Sequence, residues 1–153
     1  MESMVLNDKL VLGLAGLSIL VRFRCSQFRE FCSKYIMPDC DIVDFEVFVT
    51  DEQIAEEMTC GSQTESEAEI LCIYRAIAEK LPLYNRFVMH GAAISFEDKA
   101  YIFTAASGTG KSTHIRLWRK AFGNPVGIVN GDKPVIEIKD DGTSLVYGTP
   151  WAG

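Results

Sequence analysis

The sequence predicts a mixed α/β (α+β) domain with a largely antiparallel sheet, in which a glycine-rich loop joins a hairpin strand to a helix. Three observations carry this expectation. Short apolar runs pair off around turn residues, as in "LVLGLAGLSILV" and "GAAISFEDKAYIFTA", which is the pattern of hairpins. Other stretches repeat apolar residues at helical spacing. Between one strand-like and one helix-like stretch stands "SGTGKST", where a loop that cradles phosphate belongs.

The chain of 153 residues is one domain's worth, long enough to bury a sizeable core. Hydrophobic residues at 48% and charged residues at 24% are ordinary for a soluble globular protein. The net charge of −6 argues against nucleic acid, whose phosphates need a basic surface. The longest apolar run, Leu10 to Val21, is broken by Gly13 and Gly16 and closed by Arg22 and Arg24. It is too short to cross a bilayer, so no membrane partner is expected. Glu2 and Asp8 sit where a signal peptide would be basic. Cys25, Cys32, Cys40, Cys60 and Cys72 form no C-x-x-C pair, and only His90 and His114 could supplement them as zinc ligands. Free thiols in a reducing, cytoplasmic setting follow.

In chain order, Leu10–Val21 reads as two buried strands turning at Ala15–Gly16. Phe28, Phe31, Cys32 and Tyr35 then recur at i, i+3, i+4, i+7, a short amphipathic helix ended before Pro38. "DIVDFEVFVT" alternates Val43, Phe45, Val47 and Val49 as a strand, and the acidic "DEQIAEEMTCGSQTESE" reads as a solvated loop. Ser66 and Glu69 fit a capping box for a helix carrying Ile70, Ile73, Tyr74, Ile77 and Leu81, ended by Pro82. "GAAISF" and "AYIFTA" make a hairpin about "EDK". After the loop, "STHIRLWRKAF" is a helix burying Ile115, Trp118 and Phe122. "VGIVN" is a strand, and "PVIEIK" and "LVYG" are a hairpin about "DDGT".

The loop carries the chemistry. Glycines at positive φ let several N–H groups converge on phosphates, and the following helix adds its positive end. A lysine then meets the β and γ phosphates and the next hydroxyl ligates Mg²⁺. Ser107, Gly108, Thr109, Gly110, Lys111, Ser112 and Thr113 fill these places. Ala105 stands where such loops open with glycine, which is acceptable if its φ stays negative. The site is compressed between His90 and Asp132.

The set "HGAAI", "SGTGKSTH", "LW", "NGDKP" and "YGTPWAG" resembles the HPr kinase/phosphorylase and phosphoenolpyruvate carboxykinase group, and more closely the HPr-kinase-related proteins. The specific match covers about residues 85 to 153. It implies a phosphoenolpyruvate carboxykinase-like P-loop fold: a single domain over 1–153, with strands and helices in 1–85 and a nucleotide-binding core in 86–153. It also implies ATP or GTP with Mg²⁺ as cofactors, and transfer to a serine-type hydroxyl of a protein or peptide. Lys111 and the loop would hold phosphates, and Ser112 and Asp132 the metal. Asp132 would otherwise accept the hydroxyl proton, while His90 approaches the phosphoryl group; Asp132, His90 and Lys111 are thus the candidate catalytic residues.

HPr kinase has paired aspartates where this chain reads Gly131–Asp132, and an acidic residue where it has Thr113. His90 reads equally as a structural histidine at a strand start, and Asp132 also fits a turn before Pro134. His114 is expected to be a surface or supporting group, and Trp118 and Trp151 packing residues. Two other readings stand beside the kinase: a non-catalytic nucleotide-binding regulatory module and a small-molecule kinase. Relatives continue past the "GTPW" motif, so the core is expected to be C-terminally truncated. The chain as given would then bind nucleotide, transfer poorly and form a homo-oligomer.

Overall fold

The structure, a computed structural model, describes residues 8–38 and 41–153; Cys40 and the N-terminal stretch 1–7 lie outside the described residues. The described residues form a mixed α+β chain with mostly antiparallel sheets and four α-helices. Contacts divide it into two compact units, residues 1–80 and 81–153, five residues ahead of the 85/86 boundary between the two expected segments.

In the first unit, β1 (Asp8–Leu14) and β2 (Leu17–Phe23) pair antiparallel. Ala15 and Gly16 at φ 50° and 76° make the tight turn that such a hairpin needs. β2 alternates buried and partly buried residues, whereas Leu10, Val11 and Leu12 of β1 are all buried. β3 (Ile36–Met37) and β4 (Phe45–Val47) complete a four-stranded sheet ordered β3-β1-β2-β4, in which the β2–β4 pair is parallel. The expected strand over 41–50 is thus reduced to its middle, although Val49 beyond it is buried. The helix after β2 is α1 (Gln27–Phe31), which buries Phe28 against Phe23 with ring centroids 5.1 Å apart. Phe31 is exposed and Tyr35 falls in a 3-10 turn, Ser33–Tyr35.

The acidic stretch expected as a loop forms α2 (Asp51–Cys60). Thr50 and Gln53 close a reciprocal capping box, with Asp51 and Glu52 in the first turn, favourable at the positive end of a helix. Its apolar face is little more than Ile54. α3 (Glu65–Lys80) starts at Thr64, whose hydroxyl accepts from the Glu67 N–H, so the expected Ser66–Glu69 box is not the cap. Glu69 is instead fully buried and accepts the backbone N–H groups of Arg24 and Cys25, both at 2.8 Å. Ile73 and Ile77 are buried as expected.

The second unit opens with a 3-10 turn, Leu81–Tyr84, and a strand not anticipated from sequence, β5 (Arg86–Val88). β5 joins the β9 (Val135–Ile138) and β10 (Ser144–Tyr147) hairpin in a sheet ordered β10-β9-β5. Arg86 meets Glu137 at 3.1 Å and the Tyr147 hydroxyl donates to Glu137 at 2.6 Å, one polar ladder over the three strands. The other sheet is ordered β7-β6-β8, from β6 (Ala92–Phe96), β7 (Lys99–Phe103) and β8 (Gly127–Asn130). The β6–β7 turn places Glu97 and Asp98 at φ 49° and 59°.

α4 (Lys111–Phe122) lies against this sheet through Ile115, which joins Ala92, Ile94 and Val126 in the core. Trp118 packs on Phe96, Tyr101, Phe103 and Phe122 at centroid distances of 4.9 to 6.0 Å. Phe122, expected to be buried, is 51% exposed; it closes the rim of this aromatic cluster rather than entering the core. Among the described residues no helix is long and apolar enough to cross a membrane.

Candidate functional site

β6 pairs antiparallel with both β7 and β8, so β7 and β8 run in the same direction. Ala92 lies opposite Phe103 and Ala93 opposite Asn130. The ends of β7 and β8 and the start of β6 therefore meet at one edge of the sheet. His90 precedes β6, the glycine-rich loop follows β7, and Asp132 follows β8. Topology alone brings the candidate residues to this edge.

The loop enters α4 through Gly110, a left-handed residue at φ 99°, with Gly108 at φ 78°. A Cβ would meet nothing within 4 Å at Gly108, so glycine serves backbone conformation there, not space. Ala105 is not among the residues with positive φ, which is how the loop tolerates it. The Thr109 hydroxyl donates to the Ala106 carbonyl at 2.7 Å, and the Lys111 ammonium lies on the Ala105 and Ala106 carbonyls at 2.8 and 3.3 Å. Ser107, Thr109, Ser112 and Thr113 are exposed at the head of the helix. Its first N–H groups add partial positive charge there.

His90 Nε2 stands 3.1 Å from Asp132 Oδ1, and Lys133 Nζ donates to Asp132 Oδ2 at 3.1 Å. Gly91 N–H donates to the Asp132 carbonyl at 2.9 Å. A Cβ on Gly91 would lie 3.0 Å from the Phe103 carbonyl oxygen, so this glycine permits the close approach of the two segments. The structure thus joins His90 to Asp132 directly. It is Lys133, not Lys111, that touches the carboxylate.

Two residues that sequence reasoning passed over hold Asp132 in place. Asn130 Oδ1 accepts the N–H groups of Asp132 and Lys133 at 2.9 and 2.8 Å, shaping the turn. Its amide nitrogen donates to the Thr149 carbonyl and hydroxyl, and that hydroxyl donates on to the Lys133 carbonyl at 2.8 Å. The signal was present in the joint occurrence of "NGDKP" and "GTPW": the second motif braces the first. Gly131 belongs to the same arrangement, since a Cβ there would fall 2.3 Å from the Ala152 carbonyl oxygen.

Next to the loop, a cavity of about 340 Å³ is lined by Ser112, Ile115, Arg116 and Arg119 of α4, together with Ile128, Gly131, Ala152 and Gly153. The loop hydroxyl and the Asp132 turn therefore border one space. His114 accepts from Trp118 Nε1 at 3.3 Å and packs on Phe103, a supporting role as expected. No family model, curated protein or solved structure matches the chain.

Mg²⁺ takes one or two protein oxygens and completes its shell with phosphate and water. The Ser112 hydroxyl and the Asp132 carboxylate suit that demand. No cluster of three or more His, Cys, Asp or Glu able to hold a metal occurs among the described residues, and Mg²⁺ bound with phosphates needs none.

Proposed function

We propose that this chain binds ATP or GTP with Mg²⁺ through Gly108–Ser112 and transfers the γ-phosphoryl group to a serine-type hydroxyl of a protein or peptide, on a phosphoenolpyruvate carboxykinase-like P-loop fold. One observation carries the reading: β7 and β8 flank β6 in the same direction and end at one edge of the sheet, so the phosphate loop and Asp132 share that edge with His90. The resemblance of the loop and of the "HGAA", "NGDKP" and "GTPW" motifs to HPr-kinase-related proteins supports it.

In this reading the loop amides and Lys111 hold the phosphates, in line with the positive end of α4. Ser112 and Asp132 would hold Mg²⁺, which neutralises phosphate charge. The acceptor oxygen would bond to the γ-phosphorus as the bond to the bridging oxygen breaks, with the hydroxyl proton passing to Asp132 where that carboxylate serves as base instead of metal ligand. Such transfer asks for positioning and charge neutralisation more than covalent chemistry. Lys133 and His90 keep the carboxylate oriented toward the edge.

A second reading, a non-catalytic nucleotide-binding module, is favoured by one contact pattern. Both Asp132 oxygens already face cationic or ring nitrogen atoms, so metal ligation would require an exchange of partners. Incubation with γ-labelled ATP and Mg²⁺, with candidate peptides and small hydroxyl compounds as acceptors, separates the cases. Label on a serine-containing peptide, lost in Asp132→Asn, supports the kinase; bound ATP with neither hydrolysis nor transfer supports the binder. Transfer to small compounds alone would make it a small-molecule kinase.

A further inference from the structure

We infer that the groove beside the phosphate loop seats the acceptor, and that the acceptor it takes is an acidic peptide segment. The inference rests on the phosphoryl-transfer reading above and adds the chemistry of the second substrate.

The arginines of this chain divide sharply. Arg22 faces Glu46, Arg24 faces Asp51 and Glu69, Arg29 faces Asp8, Arg75 faces Glu57 and Arg86 faces Glu137. The remaining two arginines of the sequence, Arg116 and Arg119, have no carboxylate partner among the described residues. Both line the cavity that begins at Ser112. In a chain of net charge −6, two cations left unneutralised in one groove mark a place for an anion from outside.

That anion is not the triphosphate, for which the loop amides and Lys111 already provide. Guanidinium forks suit planar carboxylates in particular. The groove is also partly apolar, with Ile115 in its wall and Ile128, 55% exposed, on its rim. From Ser112 to Arg119 the helix rises about 10 Å, the reach of roughly three residues of extended chain. A segment with carboxylates on the arginines and an apolar side chain on Ile128 would bring a neighbouring hydroxyl to the Ser112 end. The cavity of about 250 Å³ between α2 and α3 offers no such site, because its arginine, Arg75, is held by Glu57 and its other charges are acidic.

The test uses the full chain and two labelled hexapeptides, Glu-Leu-Ser-Glu-Leu-Glu and Lys-Leu-Ser-Lys-Leu-Lys, followed by fluorescence anisotropy at low salt. The acidic peptide should bind and the basic one should not. The double variant R116Q/R119Q should weaken acidic-peptide binding by about tenfold or more with ATP affinity unchanged by calorimetry. Lys111→Ala should do the reverse. R116K/R119K, which keeps the charges, should retain part of the peptide affinity and guards against a folding defect. Equal binding of both peptides, or of the acidic peptide to parent and R116Q/R119Q, overturns the proposal. So does an ATP affinity that falls with R116Q/R119Q while peptide binding stays, which would assign the groove to the nucleotide. Arginine-dependent peptide binding without any ATP binding would sink the nucleotide reading alone and leave the acidic-peptide groove standing.

Discussion

The carboxamide of Asn130 and the hydroxyl of Thr149 meet at 3.1 Å, with both side chains almost wholly removed from water. Through this contact the last residues of the chain hold the turn that presents Asp132. Thr149→Val keeps the shape but removes the hydroxyl, leaving the Lys133 carbonyl without that donor. The expected cost is about 1–3 kcal/mol, the usual penalty for an unsatisfied buried polar group. A lowered denaturant midpoint would show it. A midpoint equal to that of the parent would mean the brace is dispensable.

Nucleotide binding and transfer should respond to different residues. Lys111→Ala should weaken Mg²⁺–ATP binding by about tenfold or more, since a charge-assisted contact to phosphate is lost. Asp132→Asn should keep most of that affinity and abolish transfer. Calorimetry on both variants decides the first point; unaltered affinity in Lys111→Ala would remove the loop from the site.

Glycine replacements should rank by what surrounds each position. Gly131→Ala drives a Cβ into the backbone oxygen of Ala152, whereas Gly108→Ala meets open space and bears only its positive φ. The first should cost about 1–3 kcal/mol from overpacking and the second about 1 kcal/mol from backbone strain. Thermal denaturation of the two variants checks the order. Gly108→Ala should nevertheless be the more harmful to ATP binding.

Stability should fall on the alkaline side. Burial pushes the Cys32 thiol up to about 12 from an ordinary 9.0, and the Glu137 carboxylate that accepts its hydroxyl raises Tyr147 above an ordinary 10.0. Each folded-state value lies above its unfolded one. The protonated forms therefore stabilise the fold fully below pH 9 and progressively less as pH climbs toward 12. Denaturant midpoints measured from pH 8 to 11 should decline, and less steeply in Cys32→Ala. A flat profile would contradict the assignment.

The thiols should differ in reactivity for the same reason. Cys60 is exposed, while burial raises Cys25 to about 11 and also raises Cys72. Brief alkylation at neutral pH followed by peptide mapping should label Cys60 well before Cys25, Cys32 or Cys72. Early modification of Cys32 would show that the core around Phe28 opens readily.

Much of this arrangement was legible where local chemistry and long-range packing agree. Ala15–Gly16 and the apolar runs on either side mark the first hairpin, and the loop glycines announce their own positive φ. What escaped depends on partners far along the chain. The 51–60 stretch looked like a solvated loop because its apolar face is so small, yet the Thr50–Gln53 box was present to be read. Glu69 looked like a capping residue, but its partners are the backbone groups of Arg24 and Cys25. β5 is only three residues long and gains its identity from pairing with β9. Asn130 and Thr149 carry no catalytic signature; their role comes from a contact across 19 positions.

The common direction of β7 and β8 separates frame from chemistry. The register that sets Phe103 and Asn130 on either side of the start of β6 is written in backbone pairing to that strand, and it does not consult the residues that follow. Those residues, 104–110 after one strand and 131–134 after the other, form two short connections that can be rewritten while the sheet stays as it is. Whatever this edge handles, a change of preference would require new spelling in the connections and no new strand.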